Sequence, residues 1–219
     1  MIRVLLVDDD PLVRAGLRLM LSGAGDIDVV AEAGDGGEVP ALVDEHRPDL
    51  VLMDIRMPDV DGLEATTALR TRPDPPTVVM LTTFREDEQV LRALQAGAAG
   101  FLLKHTPPAE IVAAVRRAHA GEPVLSPAVT EQLIARVTRG IGTDRRPGSA
   151  EARTRLDRLG PREREVAVAV GQGKTNAEIA AELYMSLATV KAHVSHILTK
   201  LELTNRVQIA LAVHSAGLT

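Results

Sequence analysis

Acidic, hydroxyl and ammonium side chains stand at the ends of aliphatic runs in the first 120 residues. An aspartate triplet at 8–10 follows one such run, and Asp54 follows another. Thr82 and Lys104 come at the ends of two later runs. Clustered carboxylates repel one another and attract a divalent cation, and an oxygen site with few protein ligands favours Mg²⁺. A carboxylate can attack phosphorus while a lysine and a hydroxyl bind the phosphoryl oxygens, so these residues predict phosphoryl transfer to Asp54.

The aliphatic runs themselves have the pattern of strands buried on both faces. They are mostly unbroken apolar stretches, as in a parallel sheet covered by helices on each side. The predicted strands are 3–7, 28–33, 50–53, 77–81 and 100–103, and the amphipathic segments that alternate with them predict helices 11–22, 37–46, 62–70, 86–96 and 108–120. This (βα)₅ pattern predicts a doubly wound parallel sheet of the α/β class. Ligands bind beyond the carboxyl ends of such strands, so we expect the polar residues to meet at one edge.

The first 120 residues resemble the receiver domain of two-component response regulators. The resemblance rests on the stretches VDDD, MDIRMPDVDGLE, MLTTF and GFLLK. It implies that Asp54 is the phosphorylated aspartate. It also implies that Asp9, Asp54 and the main-chain carbonyl of Arg56 coordinate Mg²⁺, with Asp8 assisting.

The same resemblance assigns parts to three further residues. Thr82 and Phe101 would form a switch pair, in which the threonine moves toward the phosphoryl group while the aromatic side chain turns inward. Lys104 would be the partner of the phosphoryl oxygens.

The last third of the chain lacks a convincing strand and is predicted to form four helices. Two of them, at 176–183 and from Ser186 to about 201, are separated by a tight turn, which is typical of a helix-turn-helix. The expected recognition helix presents four side chains away from its apolar stripe and toward a DNA major groove: Lys191, Ala192, Ser195 and His196. Four more residues are placed to meet phosphates: Thr175, Thr189, Lys200 and Arg206.

This region resembles the LuxR-type DNA-binding domain. The matching stretches are LGPREREV, GQGKTNAEIAAEL, SLATVKAHVSHILTKL and NRVQ. The resemblance implies that residues 176–195 form the helix-turn-helix, with Asn176 among the DNA-binding residues. It further implies that the last helix supplies a dimer interface.

Two weaker motifs in the same region would indicate a phosphate-binding loop and a zinc site, but each lacks a required residue. The stretch from Gly173 to Thr175 looks like the end of a phosphate-binding P-loop, but Val168 stands where that motif needs a glycine. His193 and His196 are spaced as i and i+3, and the sequence offers them no third zinc ligand.

The net charge is unevenly distributed over the 219 residues. The chain carries −5 in total, from 25 basic and 30 acidic residues, yet residues 1–120 alone carry −8. Residues 121–155 carry +2 and residues 156–219 carry +1. An acidic region is thus followed by a mildly basic one, and the overall sign does not argue against a nucleic-acid partner.

We divide the chain into a receiver domain at 1–121, a linker at 122–155 and a DNA-binding domain at 156–219. Within the linker, residues 127–139 show helical spacing behind Ser126. Residues 140–155 are rich in glycine, proline, serine and charge, so we expect them to be flexible.

Composition excludes several classes of protein. The chain contains no cysteine, which rules out disulfides, thiolate metal sites and cysteine catalysis. Its aromatic residues are Phe84, Phe101 and Tyr184, too few for the stacking platforms of single-strand binders. No stretch approaches the ~18 apolar residues of a membrane span, and the N-terminus lacks a signal-peptide pattern. We therefore expect a cytoplasmic protein without a membrane partner.

Together the two resemblances predict a response regulator of the NarL/FixJ type, not an enzyme. Its implied partners are a sensor histidine kinase, double-stranded promoter DNA and, in the active state, a second copy of the chain. They also admit RNA polymerase as a further partner, and Mg²⁺ is the implied cofactor. Two alternatives stay open at this point: a DNA-binding regulator indifferent to phosphorylation, and a phosphohydrolase whose aspartyl nucleophile lies in the D-x-D pattern of Asp8 and Asp10.

Overall fold

The computed structural model describes residues 1–82, 87–122, 124–125 and 147–218. Contacts divide the chain into two compact units, at 1–132 and 133–219. The predicted helix at 127–139 lies outside the described residues. In the part of the chain that the structure describes, no helix is long and apolar enough to cross a membrane.

The first unit is built on a parallel sheet. Its strands are β1 (Ile2–Val7), β2 (Ile27–Ala33), β3 (Leu50–Asp54), β4 (Thr77–Thr82), β5 (Gly100–Leu103) and β6 (Val124–Leu125). They lie in the order β2-β1-β3-β4-β5-β6, and every neighbouring pair is parallel. The first five confirm the predicted strands to within one residue at each end. Strand β6 was not predicted, because two residues are too short to show a sequence pattern.

The helices of this unit connect the strands. They are α1 (Pro11–Ser22), α2 (Val39–His46), α3 (Gly62–Arg70), α4 (Asp87–Ala96) and α5 (Pro108–His119). A short 3₁₀ turn, Gly36–Glu38, occupies the first residues of the predicted helix 37–46. The apolar faces of α1 and α5 pack on one side of the sheet in a fully buried cluster that includes Leu21, Ile111 and Val115. The predicted α/β class is confirmed.

The strand order determines where a ligand can bind. From β1 the chain moves outward to β2, then returns past β1 to β3, so the direction of winding reverses between β1 and β3. The helices that follow these two strands lie on opposite faces of the sheet, which leaves a crevice at the carboxyl ends of β1 and β3. Asp8 follows β1 and Asp54 ends β3, so the topology places both carboxylates there.

The second unit is helical. Its described elements are α6 (Pro147–Leu156), α7 (Pro161–Gly171), α8 (Asn176–Glu182), α9 (Leu187–Leu201) and α10 (Arg206–Ser215). Helices α7 to α10 confirm the four predicted helices. Their core includes Val166, Ile179 and Val190, which are fully buried.

Helix α6 corrects the predicted flexible linker. Residues 147–155 are helical, whereas residues 140–146 lie outside the described part of the chain. Leu156 is fully buried in the core of the second unit, and Arg153 Nε donates to the carbonyl oxygen of Ala216 at 2.8 Å. The prediction was wrong because α6 contacts this core through few apolar residues, Ala152 and Leu156 among them, too few to produce an amphipathic pattern.

Candidate functional site

The carboxylates after β1 have different environments. Asp8 is fully buried, and its Oδ1 accepts a hydrogen bond from the backbone N–H of Asp10 at 3.0 Å. Asp9 is exposed. The side chain of Asp10 accepts from the N–H of Leu12 at 2.8 Å and so caps α1. The second carboxylate of the D-x-D pattern therefore has a structural role at the start of α1.

Asp54 ends the central strand β3 and is 6% exposed. Its Oδ1 accepts from the N–H of Ile55 at 2.7 Å. Gly62, the first residue of α3, packs directly against its main chain, since a β-carbon there would lie 1.9 Å from the Asp54 carbonyl oxygen. A side chain at position 62 would therefore displace the strand end that carries Asp54.

Lys104 joins the two buried carboxylates across the sheet edge. Its Nζ lies 2.8 Å from Asp54 Oδ2 and 2.6 Å from Asp8 Oδ2. Burial raises the pKa of Asp54, and the hydrogen bond from Lys104 opposes that rise. Burial alone would lower the pKa of Lys104, but its hydrogen bonds to Asp54 and Asp8 raise it above the ordinary value. The lysine is thus held as an ammonium beside carboxylates that sit in a poorly solvated place.

The carboxylate cluster fits a hard divalent cation. Asp8, Asp9 and Asp54 each offer an oxygen, and these oxygens lie within 4.8 Å of one another. Three carboxylates against one ammonium leave an excess of negative charge, which a cation of the Mg²⁺ type would neutralise. Arg56, whose main-chain carbonyl is the further predicted ligand, follows two residues after Asp54 and has an exposed side chain.

The predicted switch residues lie on β4, which pairs with β3, and on β5, the next strand out. Thr82 ends β4 and is 5% exposed, while Phe101 on β5 is 1% exposed and pairs with Met80 of β4. The N–H of Lys104 donates to the Thr82 carbonyl oxygen at 2.7 Å. The hydroxyl-bearing residue and the ammonium-bearing residue are therefore held side by side at the carboxyl edge, as predicted, and the aromatic ring is inside the protein.

The helix-turn-helix of the second unit is defined by its caps. The Thr175 hydroxyl accepts from the N–H of Glu178, and the Glu178 carboxylate accepts from the N–H of Thr175, a capping box that begins α8. The Ser186 hydroxyl accepts from the N–H of Thr189 and begins α9. Tyr184, in the turn between them, has a left-handed backbone (φ 54°) and is 97% exposed. The Gly-Lys-Thr stretch thus belongs to a helix cap.

Helix α9 divides into a buried and an exposed side. Val190, Ile197 and Leu201 are buried in the core of the unit. The exposed residues include five of the predicted DNA contacts: Thr189, Lys191, Ala192, Ser195 and His196. Lys200 is also exposed, and its Nζ lies 2.7 Å from Glu163 Oε2, so its charge already has a partner on α7.

Two predicted DNA contacts are inside the protein. Asn176 is 3% exposed and Arg206 is 9% exposed. Arg206 donates from Nη1 to the Asn176 side-chain oxygen and from Nη2 to the carbonyl oxygen of Lys174. The guanidinium therefore ties the start of α10 to the start of α8, a positioning arrangement that the sequence prediction of a phosphate contact did not include.

Sequence reasoning missed two residues that organise these sites. Glu163 accepts from the N–H of Gly160 at 2.8 Å as well as from Lys200, and it thereby links the start of α7 to α9. Its spacing of three residues from the helix start is the capping-box signal that could have revealed it. Asp35 accepts hydrogen bonds from backbone N–H groups of a loop 24 and 25 residues away, and no local sequence pattern predicts such a contact.

Two family models match separate parts of the chain. Residues 4–116 match the model described as "Response regulator receiver domain", and residues 157–213 match the model described as "Bacterial regulatory proteins, luxR family". The first covers the carboxylate cluster and most of the sheet, without β6, and the second covers the helix-turn-helix.

Curated proteins are similar over nearly the whole length. Transcriptional regulatory protein LiaR of Bacillus subtilis (strain 168) is 40% identical over 214 residues, which is 98% of this chain and 97% of the relative. Nitrate/nitrite response regulator protein NarL of Escherichia coli (strain K12) is 38% identical over 211 residues, 96% of this chain and 94% of that one. Among solved structures, the response regulator ChrA of a heme-sensing two-component system superposes with a TM-score of 0.53 at 38% identity, covering 100% of this chain and 98% of its own.

Proposed function

The chain belongs to the two-component response regulators that join a receiver domain to a LuxR-type DNA-binding domain, and we propose that it accepts its phosphoryl group at Asp54. The observation that carries the proposal is the convergence of Asp8, Asp9 and Lys104 on this one carboxylate. These four residues come from three different strand ends, and together they provide the nucleophile, the cation ligands and a counter-charge.

The step itself is an in-line displacement at phosphorus. A carboxylate oxygen of Asp54 attacks a phosphohistidine of the sensor kinase; the O–P bond forms while the P–N bond breaks, and the imidazole nitrogen leaves with the electron pair and takes up a proton. Lys104 gives up a carboxylate contact to pair with the phosphoryl oxygens. Asp8, Asp9, Asp54 and the carbonyl of Arg56 would hold Mg²⁺, which would supply further neutralisation of the transferred charge.

We propose that the phosphoryl charge on Asp54 changes the positions of residues on β4 and β5. We assign the Thr82 hydroxyl to bind a phosphoryl oxygen, since it lies on β4 directly beside β3. When Thr82 moves toward the phosphoryl group, it leaves space beside Phe101, whose ring packs inside the protein. A phosphoryl group favours the conformation that offers it these contacts, and this shifts a pre-existing equilibrium toward the active state.

The DNA-binding step uses the exposed side of α9. We propose that Lys191, Ala192, Ser195 and His196 enter the major groove, while Thr175, Thr189 and Lys200 contact phosphates. Asn176 and Arg206 act from inside, by fixing the start of α8 against α10.

A single DNA-binding domain carries little net charge, +1 over residues 156–219. Electrostatic attraction to the DNA backbone is correspondingly small for one copy, so tight binding to promoter DNA requires two copies on two half-sites. We therefore propose a homodimer through α10 in the active state, acting in the cytoplasm where promoter DNA and RNA polymerase are found.

The decisive experiment is labelling with acetyl phosphate and Mg²⁺, read as the mass of one phosphoryl group on the intact chain. We expect Asp54→Asn to abolish labelling. Asp28→Asn, which neutralises an exposed carboxylate on β2, is the matched control and should label like the natural protein. Labelling of the Asp54→Asn chain would show that the site is wrong.

The same pair of variants tests the phosphorylation-independent alternative. Promoter DNA binding should tighten when the natural chain and the Asp28→Asn chain are phosphorylated. The Asp54→Asn chain should show no such gain. Equal binding by all three chains, with and without acetyl phosphate, would favour a regulator that ignores phosphorylation.

A further inference from the structure

The loop that follows Asp54, residues 55–61, is held firmly at its near end. The N–H of Ile55 lies 3.3 Å from the carbonyl oxygen of Leu81 on β4, and the N–H of Gly62 donates to the Ile55 carbonyl oxygen at 2.9 Å. Arg56 comes next in the loop, so its carbonyl lies between this end and the far end.

The far end of the loop is bound to the turn after β2. Asp35 Oδ2 accepts hydrogen bonds from the N–H groups of Asp59 and Val60, both at 3.1 Å. The N–H of Gly36 donates to the Val60 carbonyl oxygen at 3.1 Å. Gly36 is buried, and a β-carbon there would lie 2.5 Å from the same oxygen, so the two segments approach as closely as glycine permits. The loop is thus tied down on both sides of Arg56.

Asp35 is itself held rigidly. Its Oδ1 accepts from the N–H of Gly37 at 2.8 Å, and Glu38 accepts from the N–H groups of Gly34 and Asp35 at 2.9 and 3.1 Å. Donation from the backbone of Gly37 and Val60 holds the pKa of Asp35 below its ordinary value, so the group is a carboxylate at neutral pH. A fixed anion with two oxygens directed to two different segments is well suited to set a loop position.

We propose that Asp35 is a positioning residue for phosphoryl transfer, which fixes the 55–61 loop and thereby holds the Arg56 carbonyl in place for the cation that Asp54 binds. The inference rests on the proposed function, since it assumes that a divalent cation binds beside Asp54. Asp35 touches neither the cation nor the phosphoryl group, so its effect should appear in cation affinity and loop mobility. Groups that orient metal ligands in this indirect way commonly change affinity by about 10–100-fold when removed.

The test uses the full chain with Asp35→Asn, which keeps the size of the side chain. The amide offers one oxygen, so the N–H groups of Asp59 and Val60 meet either an N–H₂ group or an oxygen taken from Gly37. A second variant, Asp35→Ser, keeps an acceptor for the Gly37 N–H but is too short to reach the loop, and it decides the question if Asp35→Asn does not fold. Asp28→Asn is again the control for the lost charge.

Two quantities are measured: the Mg²⁺ dissociation constant by calorimetric titration, and the hydrogen-exchange rates of the amides at 59 and 60 in the metal-free chain. We expect Asp35→Asn to weaken Mg²⁺ binding by about tenfold and to speed both amides, with Asp28→Asn unchanged. At saturating Mg²⁺ the labelling rate should return to within about twofold of the natural rate, since a loop effect on affinity is overcome by concentration.

Contradiction can take two distinguishable forms. Unchanged affinity or unchanged exchange in a folded Asp35 variant overturns the positioning inference and leaves Asp54 as the phosphoacceptor. Failure of the natural chain to bind Mg²⁺ or to label at Asp54 overturns the proposed function, and the inference with it.

Discussion

The carboxylate site and the DNA-binding surface place their charged groups in opposite surroundings. Asp8 and Asp54 are buried and share Lys104 as their counter-charge, whereas Lys191 lies exposed on α9. Phosphoryl transfer needs charges that water does not screen, whereas recognition of DNA needs side chains that extend from the protein surface to the DNA. We therefore expect a buried charge in the first site to affect both stability and phosphoryl transfer, and an exposed charge on α9 to affect DNA binding alone.

The two sites also differ in how far apart their members are along the chain. Asp54 and Lys104 are separated by 50 residues and meet because the sheet aligns strand ends. The proposed DNA contacts of α9 lie within a single helix, which begins at the local cap Ser186. A defect in the sheet should therefore disperse the first site, and the second should survive as long as its own unit folds.

Replacing the shared ammonium should give the largest effect. We expect Lys104→Met to lower the free energy of unfolding of the receiver unit by about 3 kcal/mol, because two buried carboxylates lose their partner. Added Mg²⁺ should restore part of the loss by neutralising the same carboxylates. Urea denaturation with and without Mg²⁺ measures both effects. Arg116→Met, which removes an exposed partner of Asp26 in the same unit, is the matched control and should change stability by less than about 1 kcal/mol.

We expect an intermediate effect on stability from Arg206. This residue carries its charge in the second unit, and it is buried, as are the charged groups of the carboxylate site in the first unit. Arg206→Ala should lower the free energy of unfolding of the second unit by about 2 kcal/mol, since it leaves the Asn176 side chain and the Lys174 carbonyl without their donor. DNA binding should weaken without a change in its salt dependence. Thermal unfolding and binding at several salt concentrations provide the measurements.

Lys191→Ala is the exposed counterpart of Arg206→Ala, and it separates an effect on DNA binding from an effect on stability. Stability should stay within about 0.5 kcal/mol, while binding to promoter DNA should weaken by about 1–3 kcal/mol relative to unrelated DNA, because Lys191 is proposed to contact base edges. An equal loss of stability in both lysine and arginine variants would erase the distinction between contact and positioning residues.

The smallest effect concerns Glu163, whose partner Lys200 is half-exposed. The hydrogen bonds from Lys200 and the Gly160 N–H lower the pKa of Glu163 in the folded state. Its contribution is therefore fully present above the ordinary pKa and is lost as the pH falls through the lowered one. We expect the natural chain to exceed Glu163→Gln in stability by less than about 1 kcal/mol at neutral pH. The melting temperatures of the two chains should converge as the pH falls through the lowered pKa of Glu163, and a constant difference would contradict the assignment.

The sequence predicted the fold well where periodicity is strong. Unbroken apolar runs marked β1 to β5 because a strand covered on both faces has no polar side, and Thr175 and Ser186 begin helices through local side-chain caps. It missed β6 and α6, since two residues and a helix with few apolar contacts leave no periodic signal. These elements exist through contacts with distant segments, β5 for the strand and Ala216 for the helix.

The sequence by itself determined the residue types and the strand order along the chain, and with them the prediction that Asp8, Asp54, Thr82 and Lys104 share one edge. Periodicity and capping involve residues that are close together along the chain, so they can be recognised in the amino-acid sequence. Tertiary structure alone decided which polar groups are buried and with what they pair. It buried Arg206, paired Lys200 with Glu163 and bound Asp35 to a loop beyond the next helix. Such pairings depend on distances across the fold, and spacing along the sequence does not contain those distances.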